Sequence, residues 1–559
     1  MKHRNKIFFT ATAVSAAVML TACGSGGSSG STSPAPMGTV NVAVTDAPTK
    51  DFDHVWVTVS EIRFHTSIDA NTGDPGWLKF PLTTPVTLDL AALDNGALSA
   101  VFNGLSLPAG TYQQIRLLLV ADTDPLSNSA QAQGLTYNDQ VNWTDASNVS
   151  HLAPLEIAAP RQGISLDGTF TAATGATLNL VVDFDVGHDV VHFLHGGNDA
   201  FTLKPNLRYF DLAQAGAVTG SVDTTNLCTT ATTGCAFNLV IKSEELSADG
   251  SHHNATRFTT IRSDGSFTLF PLRVPAGQTS TSIDVLVRGR DMETILVRGV
   301  PVVAGTTPSS SPTQVSATPL PLTIGTEYTA NAASAVAPTG AWVNFYQTLS
   351  STGQAEVPYE VRYRHLDPFT GTFFQDIPLS LGPIHVGAYV AGGSPTLAAN
   401  TPVESAGGFL VFAGDLAYTR TEASSDPLVP GTGSPTLFTM PALTVDATVA
   451  TADSISGTIL QATANTYDKG ELVVVRMGTI VTTQPLDAVL AANGGTGGTY
   501  TVANLPGGSA AKTVPGAYYY LYARVWNSGH PLLTLRRVDF NGFADLRTGS
   551  ATGINATLN

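Results

Sequence analysis

The chain has 559 residues, of which 43% are hydrophobic and 13% charged, with 53 Gly and 33 Pro. A net charge of −16 excludes a nucleic-acid binder, whose affinity needs clustered Lys and Arg. The apolar fraction excludes a chain disordered throughout, and the composition excludes a coiled coil and a polytopic membrane protein. At roughly 100–200 residues per domain, three to five domains are expected. A chain poor in charge and rich in Thr, Val, Gly and Pro points to all-β units joined by many turns.

Lys2, His3, Arg4 and Lys6 form a basic start, residues 7–20 are apolar, and small residues lead to Cys23. This pattern predicts a secretory signal peptide over residues 1–22. Leu20-Thr21-Ala22-Cys23 resembles a bacterial lipobox, which implies cleavage before Cys23 and acylation of its thiol and new amine, as in palmitate-bearing lipoproteins. Several acyl chains hold a bilayer stably where one does so marginally. Residues 23–38 then read as the lipidated Cys and a flexible tether, because 24–36 is almost entirely Gly, Ser, Thr, Ala and Pro. Gly24 in place of Asp resembles lipoproteins sent to the outer membrane. No later stretch is long and apolar enough to span a bilayer as a helix. Cys228 and Cys235 bracket a short polar loop, and an exported setting predicts a local disulfide. Zinc would need two further ligands close by.

From Thr39 the pattern becomes strand-like. Val40, Val42 and Val44 alternate with Asn41, Ala43 and Thr45 until Asp46-Ala47-Pro48 breaks the run; Val55, Val57 and Val59 alternate again, followed by Ile62 and Phe64. Period-two alternation predicts half-buried strands, and residues 111–120, 178–184 and 201–211 continue it. Helical periodicity is nearly absent, its best candidate being a short turn at 90–98. This first β domain is expected over 39–212.

Five ordered segments carry a family resemblance: Gly38-Thr39-Val40 through Asp46-Ala47-Pro48, Val55-Trp56-Val57-Thr58-Val59, Leu107-Pro108-Ala109-Gly110-Thr111-Tyr112, Leu180-Val181-Val182-Asp183-Phe184-Asp185, and Leu203-Lys204-Pro205-Asn206. Together they resemble domain of unknown function 4382, a module found at the N-terminus of bacterial lipoproteins. The resemblance implies a surface β module with no established reaction and supplies no catalytic residues.

The remaining two thirds contain a faint repeat. Val218-Thr219-Gly220-Ser221-Val222 leads to Gly265-Ser266-Phe267, Pro271-Leu272 and a strand at 283–288. Ile455-Ser456-Gly457-Thr458-Ile459 leads likewise to Gly498-Thr499-Tyr500, Leu505-Pro506-Gly507 and a strand at 518–525. A weaker middle copy has Gly371-Thr372-Phe373, Ile377-Pro378-Leu379 and a strand at 384–390. Units of this length with turns between short strands predict β-sandwiches over 213–325, 326–448 and 449–559. Their motif order resembles the carboxypeptidase-regulatory or transthyretin-like sandwich, so the fold class is an all-β, multi-domain sandwich array.

Candidate chemistry is sparse. Asp46, Asp51 and Asp53 follow the first strand, and Asp183 with Asp185 share a face of a later one. Calcium, which takes carboxylate and carbonyl oxygens, is the ion such a cluster would suit, against a reading in which Asp46 simply caps a turn. His188 and His192 would share a face at helical spacing and could chelate a metal, although the segment follows a strand. Gly26-Gly27-Ser28-Ser29-Gly30 mimics a nucleophile elbow inside the tether, where no strand precedes it. On one predicted strand Tyr518, Tyr520 and Tyr522 share a face, continued by Trp526, and such a row could stack on sugar rings or pack as core.

The expected protein is therefore a lipid-anchored lipoprotein of a Gram-negative cell envelope with a binding or structural role and no catalysis. Its expected partners are the membrane, through its lipid, and polysaccharide or envelope proteins, with no nucleic acid and no required cofactor. The rival readings are an exported carbohydrate-active or other hydrolytic enzyme, and a metal-dependent adhesin.

Overall fold

The structure is a computed structural model that describes residues 35–47, 51–145, 147–166, 168–195, 198–204, 207–225, 239–289, 292–323, 327–335, 342–349, 357–365, 372–380, 383–400, 410–414, 417–418, 421–424, 436–438, 444–529, 536–540 and 542–559. Cys23 with its lipobox, and Cys228 with Cys235, lie outside the described residues. The described chain is built from β-strands with a few short helical turns, as the composition predicts.

In the first domain, Met37–Asp46 sits inside a four-stranded sheet, parallel to Thr177–Phe184 and antiparallel to Ser99–Pro108. An eight-stranded sheet faces it, centred on His54–His65. Val40, Val42 and Val44 from one sheet and Val55, Val57, Val59, Ile62 and Phe64 from the other meet in one core. The inward set changes from odd to even numbers after Val59 because a bulge between Val59 and Glu61 adds one residue to the strand. Without that extra residue, Ile62 and Phe64 would point to the opposite face of the sheet. The turn expected at 90–98 opens with the 3-10 helix Leu90–Ala92, whose Leu90 is buried.

The three repeats share one topology. In the first, Ala215–Ser221 pairs antiparallel with Ser266–Arg273 and parallel with Thr313–Gln314; in the last, Thr451–Gln461 pairs in the same ways with Gly497–Gly507 and Ala556–Leu558. Both opening strands carry a register irregularity just before the repeated motif, at Gly216/Val218 and at Asp453/Ile455. The repeated glycines also have a steric cause. Gly220 lies under the Phe267 ring, where a Cβ would meet ring carbons at 2.4 Å, and a Cβ on Gly457 would lie 1.9 Å from the Ile554 carbonyl oxygen. In the first and last repeats a second, larger sheet closes the sandwich over an apolar core.

The middle copy has the same plan but not through the strand expected for it. Glu327–Ala335 pairs with Thr372–Ser380 and Thr436–Phe438, and Trp342–Gln347 pairs with Tyr359–His365 and Leu410–Gly414. The position assigned from sequence to 384–390 is filled by Leu410–Gly414. Ile384–Ala388 instead forms a hairpin with Ala398–Asn400 that adds in parallel to Ile295–Val303 of the preceding repeat. Tyr359 also meets His253 at the other edge of that repeat's sheet. One ten-stranded sheet thus runs across the boundary placed near Gly325.

Candidate functional site

The densest chemistry lies where the first domain meets its neighbours. At the end of Met37–Asp46 the parallel ladder sets Thr45 opposite Asp183 and Asp46 opposite Phe184. Asp185 then caps the one-turn helix Val186–Asp189: one carboxylate oxygen accepts from the His188 amide at 3.2 Å and the other lies 2.5 Å from His188 Nδ1. Asp46 accepts from the Val186 amide at 2.9 Å. Arg257, on His253–Thr260 of the first repeat, enters this corner, pairs with Asp183, and donates to the Asp46 carbonyl at 2.7 Å. The His188 ring meets Phe258 and Tyr363 edge-on, with centroids at 4.9 and 4.3 Å. Burial pushes the Asp46 carboxyl well up, the neighbouring Asp185 and Asp183 adding to it against the Val186 amide and Arg257. Burial also raises Asp183 despite Arg257, because desolvation outweighs one ion pair.

Four of the seven residues considered for a metal therefore gather here: Asp46, Asp183, Asp185 and His188. Asp51 is exposed, and Asp53 takes a 2.7 Å hydrogen bond from Thr144 on the eight-stranded sheet. His192 is separated from His188 because the helix lasts a single turn and His192 falls on the following strand, Val190–His195. There it stacks on Phe201 at 4.8 Å and bonds Asp199 at 2.7 Å. The helical face that would have paired the two histidines does not form. Among the described residues, no three His, Cys, Asp or Glu side chains are placed to hold a metal ion. Asp46 accepts from the Val186 amide; residues 48–50, in the turn that the sequence reading has Asp46 cap, lie outside the described residues.

The aromatic row sits at a second junction. Tyr518–Trp526 places Tyr519, Leu521, Ala523 and Val525 in the core of the last repeat, which leaves Tyr518, Tyr520, Tyr522 and Arg524 on the opposite face. That face is covered by the first domain. Tyr522 packs with Ala158, Ala159, Val473, Val475 and Ile480, and its hydroxyl donates to Glu156 at 2.6 Å. Arg524 pairs with the same Glu156. Arg537 lies 3.9 Å over the Tyr522 ring and donates to the Ile157 and Ala158 carbonyls at 2.9 and 2.8 Å. Further along, Tyr518 donates to the Asp69 carbonyl and Arg547 pairs with Asp74 at 3.1 Å. The Ser165 amide donates to the Met477 carbonyl at 3.2 Å. Tyr518 and Tyr522 are buried and Tyr520 and Trp526 half-buried, so the open sugar-stacking row considered from sequence is corrected to a domain interface. Burial drives the Glu156 carboxyl up, but Arg524, Arg537 and Tyr522 together hold it below the ordinary glutamate value.

Sequence reasoning missed Glu156, Arg257, Arg524 and Arg537. One signal was present: Arg524 falls in phase with the tyrosines inside an otherwise apolar strand, and a charge there requires a partner across a covered face. Its partner stands 368 residues away, beyond any local pattern.

Among solved structures, the chain is similar to a leucine-rich repeat protein from Bacteroides thetaiotaomicron, at 13% identity and a TM-score of 0.13 over 52% of this chain, spanning 27% of that chain. It is also similar to the Corynebacterium diphtheriae major pilin SpaA, at 9% identity and a TM-score of 0.11, over 61% of this chain and 100% of that one. Likeness at these scores carries no argument. No curated protein matches the chain. The first domain does have a match, in the place its ordered motifs indicate: residues 37–205 match the family described as Domain of unknown function (DUF4382).

Proposed function

We propose that the protein is a lipid-anchored lipoprotein of a Gram-negative cell envelope whose joined β units bind or brace at the surface without catalysis. The observation that carries this reading is where the first domain's buried charge is used. Arg257, Arg524 and Arg537 meet Asp183 and Glu156 across unit boundaries, so these groups serve to join units. The Cys23 lipobox and the tether after it support the anchor, and the shared topology of the repeats supports sandwiches of the carboxypeptidase-regulatory or transthyretin-like kind. Polysaccharide or envelope proteins are the partner classes that suit such a body, and a bridge between Cys228 and Cys235 suits its oxidising setting.

The test is Cys23→Ser in the full chain, followed by palmitate labelling and fractionation. Label should disappear and the protein should leave the membrane fraction in high salt. A variant that stays with membranes and keeps its label would sink the anchor.

A further inference from the structure

The strands that join the first repeat to the middle copy part almost at once. His253–Thr260 meets Tyr359–His365 through one ladder pair, His253 with Tyr359, so the backbone bonds that would continue the sheet stop there. Side chains fill the opening instead. From Leu239–Leu246 of the first repeat, Lys242 reaches across, and its Nζ donates to the Glu360 and Val361 carbonyls at 3.3 and 3.2 Å. From Trp342–Gln347 of the middle copy, Asn344 donates through Nδ2 to Glu360 Oε2 at 3.0 Å. A lysine amine and a side-chain amide from two different units thus meet on one residue. Glu360 holds the first by its main chain and the second by its carboxyl.

The surroundings suit neutral groups better than charged ones. Asn344, Glu360 and Glu244 are 7, 3 and 1% exposed. The Asn344 carbonyl oxygen is buried without a hydrogen-bonding partner, as are both oxygens of Glu244, which follows Lys242 on the same face of its strand. Burial pulls the Lys242 ammonium below the ordinary lysine value, and Arg288 and Arg362 add to this against Glu360 and Glu244. Burial likewise raises the Glu360 carboxyl against Lys242. A desolvated amine is a nucleophile, and a carboxyl that gives and takes a proton beside it is an acid–base catalyst.

We propose that Lys242 and Asn344 condense into an amide that ties the first repeat covalently to the middle copy, with Glu360 as the catalytic proton carrier. Lys242 Nζ attacks Asn344 Cγ; the Nζ–Cγ bond forms and the Cγ–Nδ2 bond breaks. Glu360 takes one proton from Nζ and delivers one to Nδ2, which its carboxyl already touches. Nδ2 then leaves as ammonia. The amine loses one hydrogen and the amide nitrogen gains one, so the exchange balances without an oxidant or a co-reactant. Holding both groups on one residue replaces a bimolecular encounter. Lys242 is only half-buried, which gives the ammonia a way out. Loss of the ammonium also takes Glu244 further in the direction burial already drives it, toward its neutral form.

The experiment is tryptic peptide mapping of the full chain by mass spectrometry. The expected result is a branched peptide joining the segments around Lys242 and Asn344, lighter than their sum by one ammonia, with no cleavage after Lys242. Lys242→Ala and Asn344→Ala should each abolish the branch. Glu360→Gln, which keeps the side chain's shape, should leave the two peptides linear in most molecules. Should the alanine variants fail to fold, the parent map and the Glu360 variant decide. Linear peptides alone in the parent would overturn the link, as would recovery of Asn344 hydrolysed to the acid. A branch lighter by one water would place the bond on a glutamate and overturn the assignment to Asn344. A full yield of branch in the Glu360 variant would overturn the role of Glu360.

Discussion

The first and last repeats are the same sandwich with different covers on the outer face of the larger sheet. In the last repeat, Tyr522 and Arg524 converge with Arg537 on one carboxylate, Glu156, which lies below its ordinary pKa. In the first, Lys242 spends its ammonium on the Glu360 and Val361 carbonyls at 3.3 and 3.2 Å, where the middle copy's strand has parted from its neighbour. Glu244 is left with both oxygens buried and no hydrogen-bonding partner. Burial pushes its carboxyl well up despite Lys242, and Glu360 adds to the shift. One topology thus carries two electrostatic outcomes: a carboxylate held charged at one face, and a carboxyl driven toward its neutral form at the other. Burial is common to both, and each acid has two cations near it; Glu156 is bonded directly by Arg524 and Tyr522, whereas Glu244 has the Glu360 carboxyl beside it, and that difference decides the sign.

Removing the cation at the well-answered face should give the largest effect. Arg524→Ala leaves Glu156 buried with Arg537 as its one remaining cation beside the Tyr522 hydroxyl, and breaking a buried pair this way costs about 3–5 kcal/mol. Urea unfolding should show the loss, with limited proteolysis reporting release of the last repeat from the first domain. An unchanged denaturation midpoint would mean that the two faces are not electrostatically different.

The opposite face should respond to pH with the opposite sign. Glu156 has a depressed folded pKa, so its contribution is present above the unfolded value near 4.5 and is lost as pH falls through the lower folded value. Glu244 has a raised folded pKa, so stability is greatest below 4.5 and declines as pH rises from there toward the folded value. Glu244→Gln, a fixed neutral mimic, should therefore stabilise the chain at pH 8 and change it far less at pH 4. Melting curves at the two pH values read this directly, and equal shifts at both would remove the proposed sign difference.

The smallest effect sharpens the geometry of the last repeat's contact. Gly478 has φ +88°, and a Cβ there would come within 2.8 Å of Ile164 Cα. Gly478→Ala should cost about 1–2 kcal/mol through backbone strain and the clash together. The loss should show as earlier release of the last repeat, read by hydrogen exchange across residues 156–166.

Much of this architecture is legible in the sequence. The apolar runs Val55, Val57, Val59 and Ile62, Phe64 are legible as strand; that both face one core through a bulge between Val59 and Glu61 emerges only from the fold. Gly220 and Gly457 marked the repeat because each opening strand is crowded at that point. The middle copy was misread since Ile384–Ala388 has a good strand pattern, and pattern does not tell which sheet a strand will join. At the candidate sites, Asp183 and Asp185 stood out as paired acids, but their distribution between Arg257 and His188 depends on a unit that arrives later in the chain.

The contact between Glu156 and Arg524 spans 368 residues, and this separation sets an order of events during synthesis. The first domain can complete its own core once its last strand is made, but Ala158 and Ala159 have no cover until Val473, Ile480 and Tyr522 emerge. Throughout that interval an apolar patch beside an uncompensated Glu156 faces solvent, the kind of surface through which multidomain chains misassemble. Closure of this contact therefore waits for residues 473–524, and a truncated chain ending before residue 518 would carry that patch open for its whole lifetime.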